Sequence, residues 1–138
     1  MKKYWIFDRV ETPQGFPLQK LLLRAVEVVP LGESRMIAIE ESDGFGLQVA
    51  AWYKALETAS VVHVPFDALY QVAAGDVEWF FNFKCTFLNN GVSVGIHDST
   101  AMFIESTQDD VALRVASCFD SFKEAVRGPA GAQGTGAA

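Results

Sequence analysis

The sequence predicts an α+β domain: an antiparallel sheet, a long C-terminal helix packed on one face of it, and a second helix in the middle of the chain. Three observations carry that expectation. Val77, Trp79, Phe81, Phe83, Cys85 and Phe87 alternate with Glu78, Asn82, Lys84 and Thr86, and Val92, Val94 and Ile96 resume the alternation after Asn89-Asn90-Gly91. A period of two belongs to a strand, and Asn and Gly tolerate the positive φ of a tight turn, so the two runs pair antiparallel. Val111, Val115, Cys118, Phe119, Phe122 and Val126 form one apolar stripe at helical spacing, and Val49, Trp52, Tyr53 and Leu56 form a second.

Taken in order, Tyr4–Val10 reads as a short strand with Trp5 and Phe7 on one face, closed by the turn Thr12-Pro13-Gln14-Gly15. Leu18–Val29 is ambiguous. Leu21-Leu22-Leu23 favours helix, whereas Val26, Val28 and Val29 favour strand. The strand is preferred, because Met36–Glu40 looks like its hairpin partner across Leu31–Ser34. Glu41–Gly44 reads as a loop, about Phe45–Thr58 as the middle helix, and Ser60–Val64 as a strand closed by Pro65. Phe66–Ala73 can make one or two helical turns, entered from Pro65 and left at Gly75. After the hairpin, Met102 and Ile104 continue the sheet beyond a kink at Asp98-Ser99-Thr100. The last helix is placed over about Asp109–Val126, capped by Ser106 or Thr107, with Asp109-Asp110 at its positive end. Residues 128–138 are Gly/Ala-rich and too poor in apolar groups to order themselves, so 1–127 is read as one domain and 128–138 as a flexible tail.

Composition narrows the function. The 138 residues suit one domain, and half of them are hydrophobic, which is enough for a packed core. Acidic residues outnumber basic ones 17 to 11, for a net charge of −6. Phosphate contacts need clustered Lys and Arg, and the only basic cluster is Lys2-Lys3, so nucleic acid is excluded as a partner. An acidic surface suits a basic protein partner, or no partner at all. Tyr4–Phe7 is ended by Asp8-Arg9, too soon for a signal peptide, and no run approaches the roughly 20 apolar residues that span a bilayer. A cytoplasmic protein without a membrane segment is expected. Cys85 and Cys118 lack the short spacing of a metal motif or a disulfide framework, and each is read as a buried thiol.

No chemical motif rises above its structural alternative. His97-Asp98-Ser99 has the three letters of a hydrolase triad, but neighbours in an extended chain point to opposite faces, and a triad needs base and nucleophile within about 3 Å. A strand end bonded to nearby backbone is preferred. His63, between Val62 and Val64, reads as a structural residue, and two histidines without metal-ligand spacing argue against zinc. Glu40-Glu41 with Asp43-Gly44 lack the alternate ligands of a calcium loop, and Gly44-Phe45-Gly46 stops short of a phosphate-binding pattern. No cofactor or metal is expected. Glu33, Glu40, Glu41 and Asp43 form an acidic run that reads either as a solvated loop or as a patch steering a basic partner. Trp52 and Trp79 read as packing residues.

The segment Gly91-Val92-Ser93-Val94-Gly95-Ile96-His97-Asp98-Ser99-Thr100-Ala101-Met102-Phe103-Ile104-Glu105, followed by an acid-started helix, resembles bacterial immunity proteins of the kind found in contact-dependent growth inhibition. The resemblance covers mainly residues 77–126 and rests on a strand–turn–strand–helix pattern with general size and charge. It implies a non-enzymatic protein that binds one cognate toxin, a basic protein such as a nuclease, and masks its active or basic surface. Glu40, Glu41, Asp43 and Asp98 are the expected contacts. Two alternatives stay open. One is a small ligand-binding or enzymatic domain in which His63, His97 and Asp98 converge in a pocket lined by Phe; the other is a homo-oligomeric structural subunit.

Overall fold

The computed structural model describes residues 1–88, 91–108 and 110–126. Seven strands form one sheet in the order β3-β2-β4-β5-β6-β1-β7, and every neighbouring pair is antiparallel. In chain order the elements are β1 (Lys2–Ile6), α1 (Leu18–Val28), β2 (Met36–Phe45), α2 (Leu47–Ala55), β3 (Val62–Pro65), α3 (Phe66–Val72), β4 (Trp79–Phe87), β5 (Val92–His97), β6 (Ala101–Ser106), α4 (Val111–Ala116) and β7 (Phe122–Glu124). The core lies between the helices and one face of the sheet, filled by Ile6, Leu18, Leu21, Leu22, Ile37, Ile39, Phe80, Phe83 and Phe87. Both edge strands are short, which limits the exposed backbone donors and acceptors open to chance pairing. No helix of the described residues is long and apolar enough to cross a membrane.

The α+β class, the antiparallel sheet, the middle helix and the β4–β5 hairpin agree with the sequence. Phe87 faces Val92 and Phe83 faces Ile96 across that hairpin; Asn89 and Asn90 of its turn lie outside the described residues, as do Asp109 and the expected tail 128–138.

Four expectations are corrected. Residues 18–28 form a helix, not a strand. Leu18, Leu21, Leu22 and Ala25 recur at i, i+3, i+4 and i+7 and are buried, and this stripe outweighs the strand preference of Val26 and Val28. Accordingly β2 pairs with β3 and β4, not with residues 18–29. Residues 41–44 are not a loop but the second half of β2, because β4 offers a partner as far as Trp79. β1 stops at Ile6, short of Val10, with Tyr4 and Ile6 in the core. The long C-terminal helix is absent: α4 covers Val111–Ala116 and the chain then turns back as β7 against β1. The Asp8 carboxylate accepts the N–H groups of Asp120 and Ser121 at 3.0 and 2.8 Å, and Phe7 N–H donates to the Ser121 carbonyl at 2.8 Å. These bonds hold the chain beyond α4 against the N-terminal segment. Val111, Val115 and Phe119 of the expected stripe are buried, whereas Cys118, Phe122 and Val126 are exposed.

Candidate functional site

Two irregularities in the β2–β4 pairing decide what each face of the sheet carries. The register shifts between Ile39/Glu41 and between Asp43/Gly44. A β-bulge adds one residue to one strand and resets the parity of the residues beyond it. The first shift lies at Glu40, so Ile39 and Ser42 are buried while Glu41 and Asp43 are exposed. The second lies at Phe81, so Phe80 joins Phe83, Cys85 and Phe87 in the core while Phe81 is exposed. Trp79, read as a packing residue, instead lies half-buried against Phe45, with the rings stacked 4.5 Å apart.

The face opposite the core is organised by charge and aromatic contact. Lys84 on β4 lies 3.2 Å from Glu105 on β6 and 3.6 Å from Glu40 on β2. The Thr86 hydroxyl donates to Glu40 and lies 2.8 Å from the Ser93 hydroxyl. Desolvation pulls the Lys84 ammonium down, but the hydrogen bond and charge of Glu105, joined by Glu40, outweigh it and hold its pKa above the ordinary lysine value. Beside this network the Lys3 ammonium lies over both Trp5 and Phe103, at 4.3 and 4.5 Å from the ring centres. Phe103 crosses Gly95, where an added Cβ would come within 2.6 Å of the ring and 2.0 Å of the Phe83 carbonyl. The glycine therefore makes room for the aromatic cluster.

The acidic residues named from sequence fall into two environments. The Glu40 carboxylate is engaged by Thr86 and Lys84. Glu41 and Asp43 are exposed on the half of β2 that lies beyond its pairing with β3, which ends at Ile39. With Glu40, Ser42, Tyr53, Leu56 and Glu57 they line an open depression of about 320 Å³ between β2 and α2. Asp98 is at the same end of the sheet: Asp43 pairs with Asn82, whose side-chain oxygen accepts the Asp98 N–H at 2.8 Å. Asp98 and Ser99 have positive φ at the centre of the β5–β6 turn, closed by Thr100 N–H on the His97 carbonyl. Ser99 N–H donates to the Phe81 carbonyl, so this segment is tied to backbone at a strand end. Glu33 lies apart, in the loop before β2.

His63 and His97 are not brought together. His63 aligns through Ala38 and Thr86 with Ser93, three strand spacings across the sheet, and His97 is four residues further along β5. At ~4.8 Å per strand and ~3.3 Å per residue the two imidazoles are roughly 20 Å apart. His97 instead packs against Trp5, with ring centres 5.8 Å apart. Cys85 is fully buried and its thiol pKa is pushed up by that burial, whereas Cys118 is exposed. No group of His, Cys, Asp and Glu among the described residues is placed to hold a metal ion.

The structure adds residues that sequence reasoning passed over. Glu78 precedes β4, and its carboxylate accepts the Val49 N–H at 2.8 Å, capping the start of α2 from a distant part of the chain. Gly46 makes this approach possible: its φ is +128°, and a Cβ there would come within 2.2 Å of the Glu78 side chain. The clasp holds Phe45, Leu47 and Val77 around a second open depression of about 320 Å³. Leu47 lies off the Val49–Trp52–Leu56 stripe, which is the one mark of an outward leucine in the sequence. No protein-family model, curated protein or solved structure matches this chain.

Proposed function

We propose that this protein works by binding: it neutralises a cognate bacterial toxin by covering a basic surface of it, as an immunity protein does. The observation that carries the reading is the depression between β2 and α2, where Glu41, Asp43 and Glu57 stand beside Glu40, itself paired with Lys84, and no lysine or arginine lines the wall. Carboxylates gathered on one side, with Asp98 at the same end of the sheet, set up a local field that speeds the encounter with a positively charged protein and disfavours an acidic one. Tyr53 and Leu56 add apolar area beside the charge, which a stable complex needs for desolvated contact. The strands of the segment that resembles immunity proteins are present as β4, β5 and β6, although the long helix of that pattern is not.

The test is co-expression. Cells carrying a lethal basic toxin domain survive when the wild-type chain is present, and survival falls when Glu41→Lys and Asp43→Lys are introduced together. Death of the cells with every basic toxin domain tried, despite folded wild-type protein, removes the reading. Both substituted positions are exposed, so the reversal changes charge without opening the core.

A further inference from the structure

Two adjoining hollows lie at the start of α2 and the entry to β4, and a third lies between β2 and the far end of α2. One contains Phe45, Leu47 and Val77; a second shares Val77 and Glu78 with it and extends to Asp76; the third is the depression of Glu41 and Asp43. Leu47 is 91% exposed, Val77 78% and Phe45 55%. Three large apolar side chains held together in water at one point of a surface mark a contact site, whereas scattered single ones do not. The walls of the three hollows carry Glu40, paired with Lys84, and Glu41, Asp43, Glu57, Asp76 and Glu78, and no lysine, arginine or histidine lines them.

We infer that Phe45, Leu47 and Val77 form the anchor of the partner interface, receiving an apolar side chain of a partner protein that is ringed by lysine or arginine. This rests on the proposed toxin-neutralising role and says where the partner sits and what it presents. Charge selects the occupant. Two copies of this chain meeting through the patch would bring Asp43, Asp76 and Glu78 of one against those of the other, a repulsive arrangement, whereas a cationic rim around an apolar knob is complementary to it. The backbone that carries the anchor is tied down before binding. Glu78 ties the first turn of α2 to the entry of β4, and Phe45 stacks on Trp79, so little ordering remains for the complex to supply. Central apolar anchors inside a charged rim are where binding energy concentrates at protein interfaces.

The probe is the purified, catalytically inactive form of the basic toxin domain that the wild-type chain neutralises in co-expression, titrated against the full chain by calorimetry. L47D and V77D are each expected to weaken the complex by about 30-fold or more, while L113D, at an exposed position on α4, leaves it within about threefold. All three variants keep the wild-type melting temperature, since the substituted side chains contribute little to the core. Unchanged affinity of L47D and V77D for that domain overturns the anchor and leaves the neutralising role standing. The anchor is equally overturned if the free chain dimerises and L47D abolishes the dimer. If the wild-type chain neutralises no basic domain, the role itself fails and the anchor with it.

Discussion

Lys84 shows how a single residue is fixed by its surroundings. It sits in the middle of β4 with carboxylates of β2 and β6 on either side, so its charge holds together three strands' worth of side chains. Removing it leaves Glu40 and Glu105 facing each other with no cation between them, a larger loss than that of an isolated surface pair. K84M is expected to lower the unfolding free energy by about 1–2 kcal/mol at pH 7, measured by urea denaturation. The pH dependence has a definite sign. The folded-state pKa of Lys84 is raised, so its contribution is complete below the unfolded value of 10.5 and is lost as pH rises through the folded value. The gap between wild type and K84M therefore narrows above about pH 10.5; a gap that stays constant to pH 11.5 contradicts this role. The alternation of the strand showed that Lys84 lies opposite Phe83 and Cys85. Its two partners were not legible, because β2 and β6 are distant in sequence and Glu105 reaches it across β5.

At the scale of elements, the sequence was informative wherever one local pattern acted alone and misleading where a distant residue decided. The β4–β5 alternation and the Val49–Trp52–Leu56 stripe are local, and both elements form as expected. Leu18–Val28 carried two conflicting local signals, and burial of the leucine face settled it as a helix. The C-terminal stripe was a genuine pattern that stops early: α4 ends at Ala116, and the chain after it is tied to the N-terminal segment, in part by Asp8, more than a hundred residues earlier. The acidic residues of the candidate site were visible as a run, but their placement depends on bulges at Glu40 and Phe81 that have no sequence mark. D8A removes two charge-assisted acceptors at an exposed site, costing about 1 kcal/mol. Hydrogen exchange at the Phe7 and Ala125 amides, which bond to Ser121 and Lys3, is expected to speed by about tenfold, as β7 loosens from β1, with the β4 and β5 amides unaffected. Unchanged protection of those two amides would show that β7 holds its place without Asp8.

For the whole molecule, the distribution of charge matters more than its total of −6. Near the N-terminus, Lys2 pairs with Glu124 at 3.0 Å and Lys3 lies over two aromatic rings, so positive groups there are balanced locally. Around the junction of β2, α2 and the entry to β4, Glu41, Asp43, Glu57, Asp76 and Glu78 line hollows whose walls hold no lysine or arginine, Lys84 being engaged with Glu40 and Glu105. The fold creates this asymmetry by continuing β2 past the end of β3 and bringing Asp43, Asn82 and Asp98 to one end of the sheet. In the proposed role, this acidic, apolar-anchored end captures a basic protein. The most direct test of that role is the association rate with the neutralised toxin domain, measured by stopped flow across ionic strength. The account predicts a rate that falls by about tenfold or more between ~20 and ~300 mM salt, and that drops at low salt when Glu41 and Asp43 are both changed to lysine. A rate indifferent to salt and to that charge reversal would contradict it.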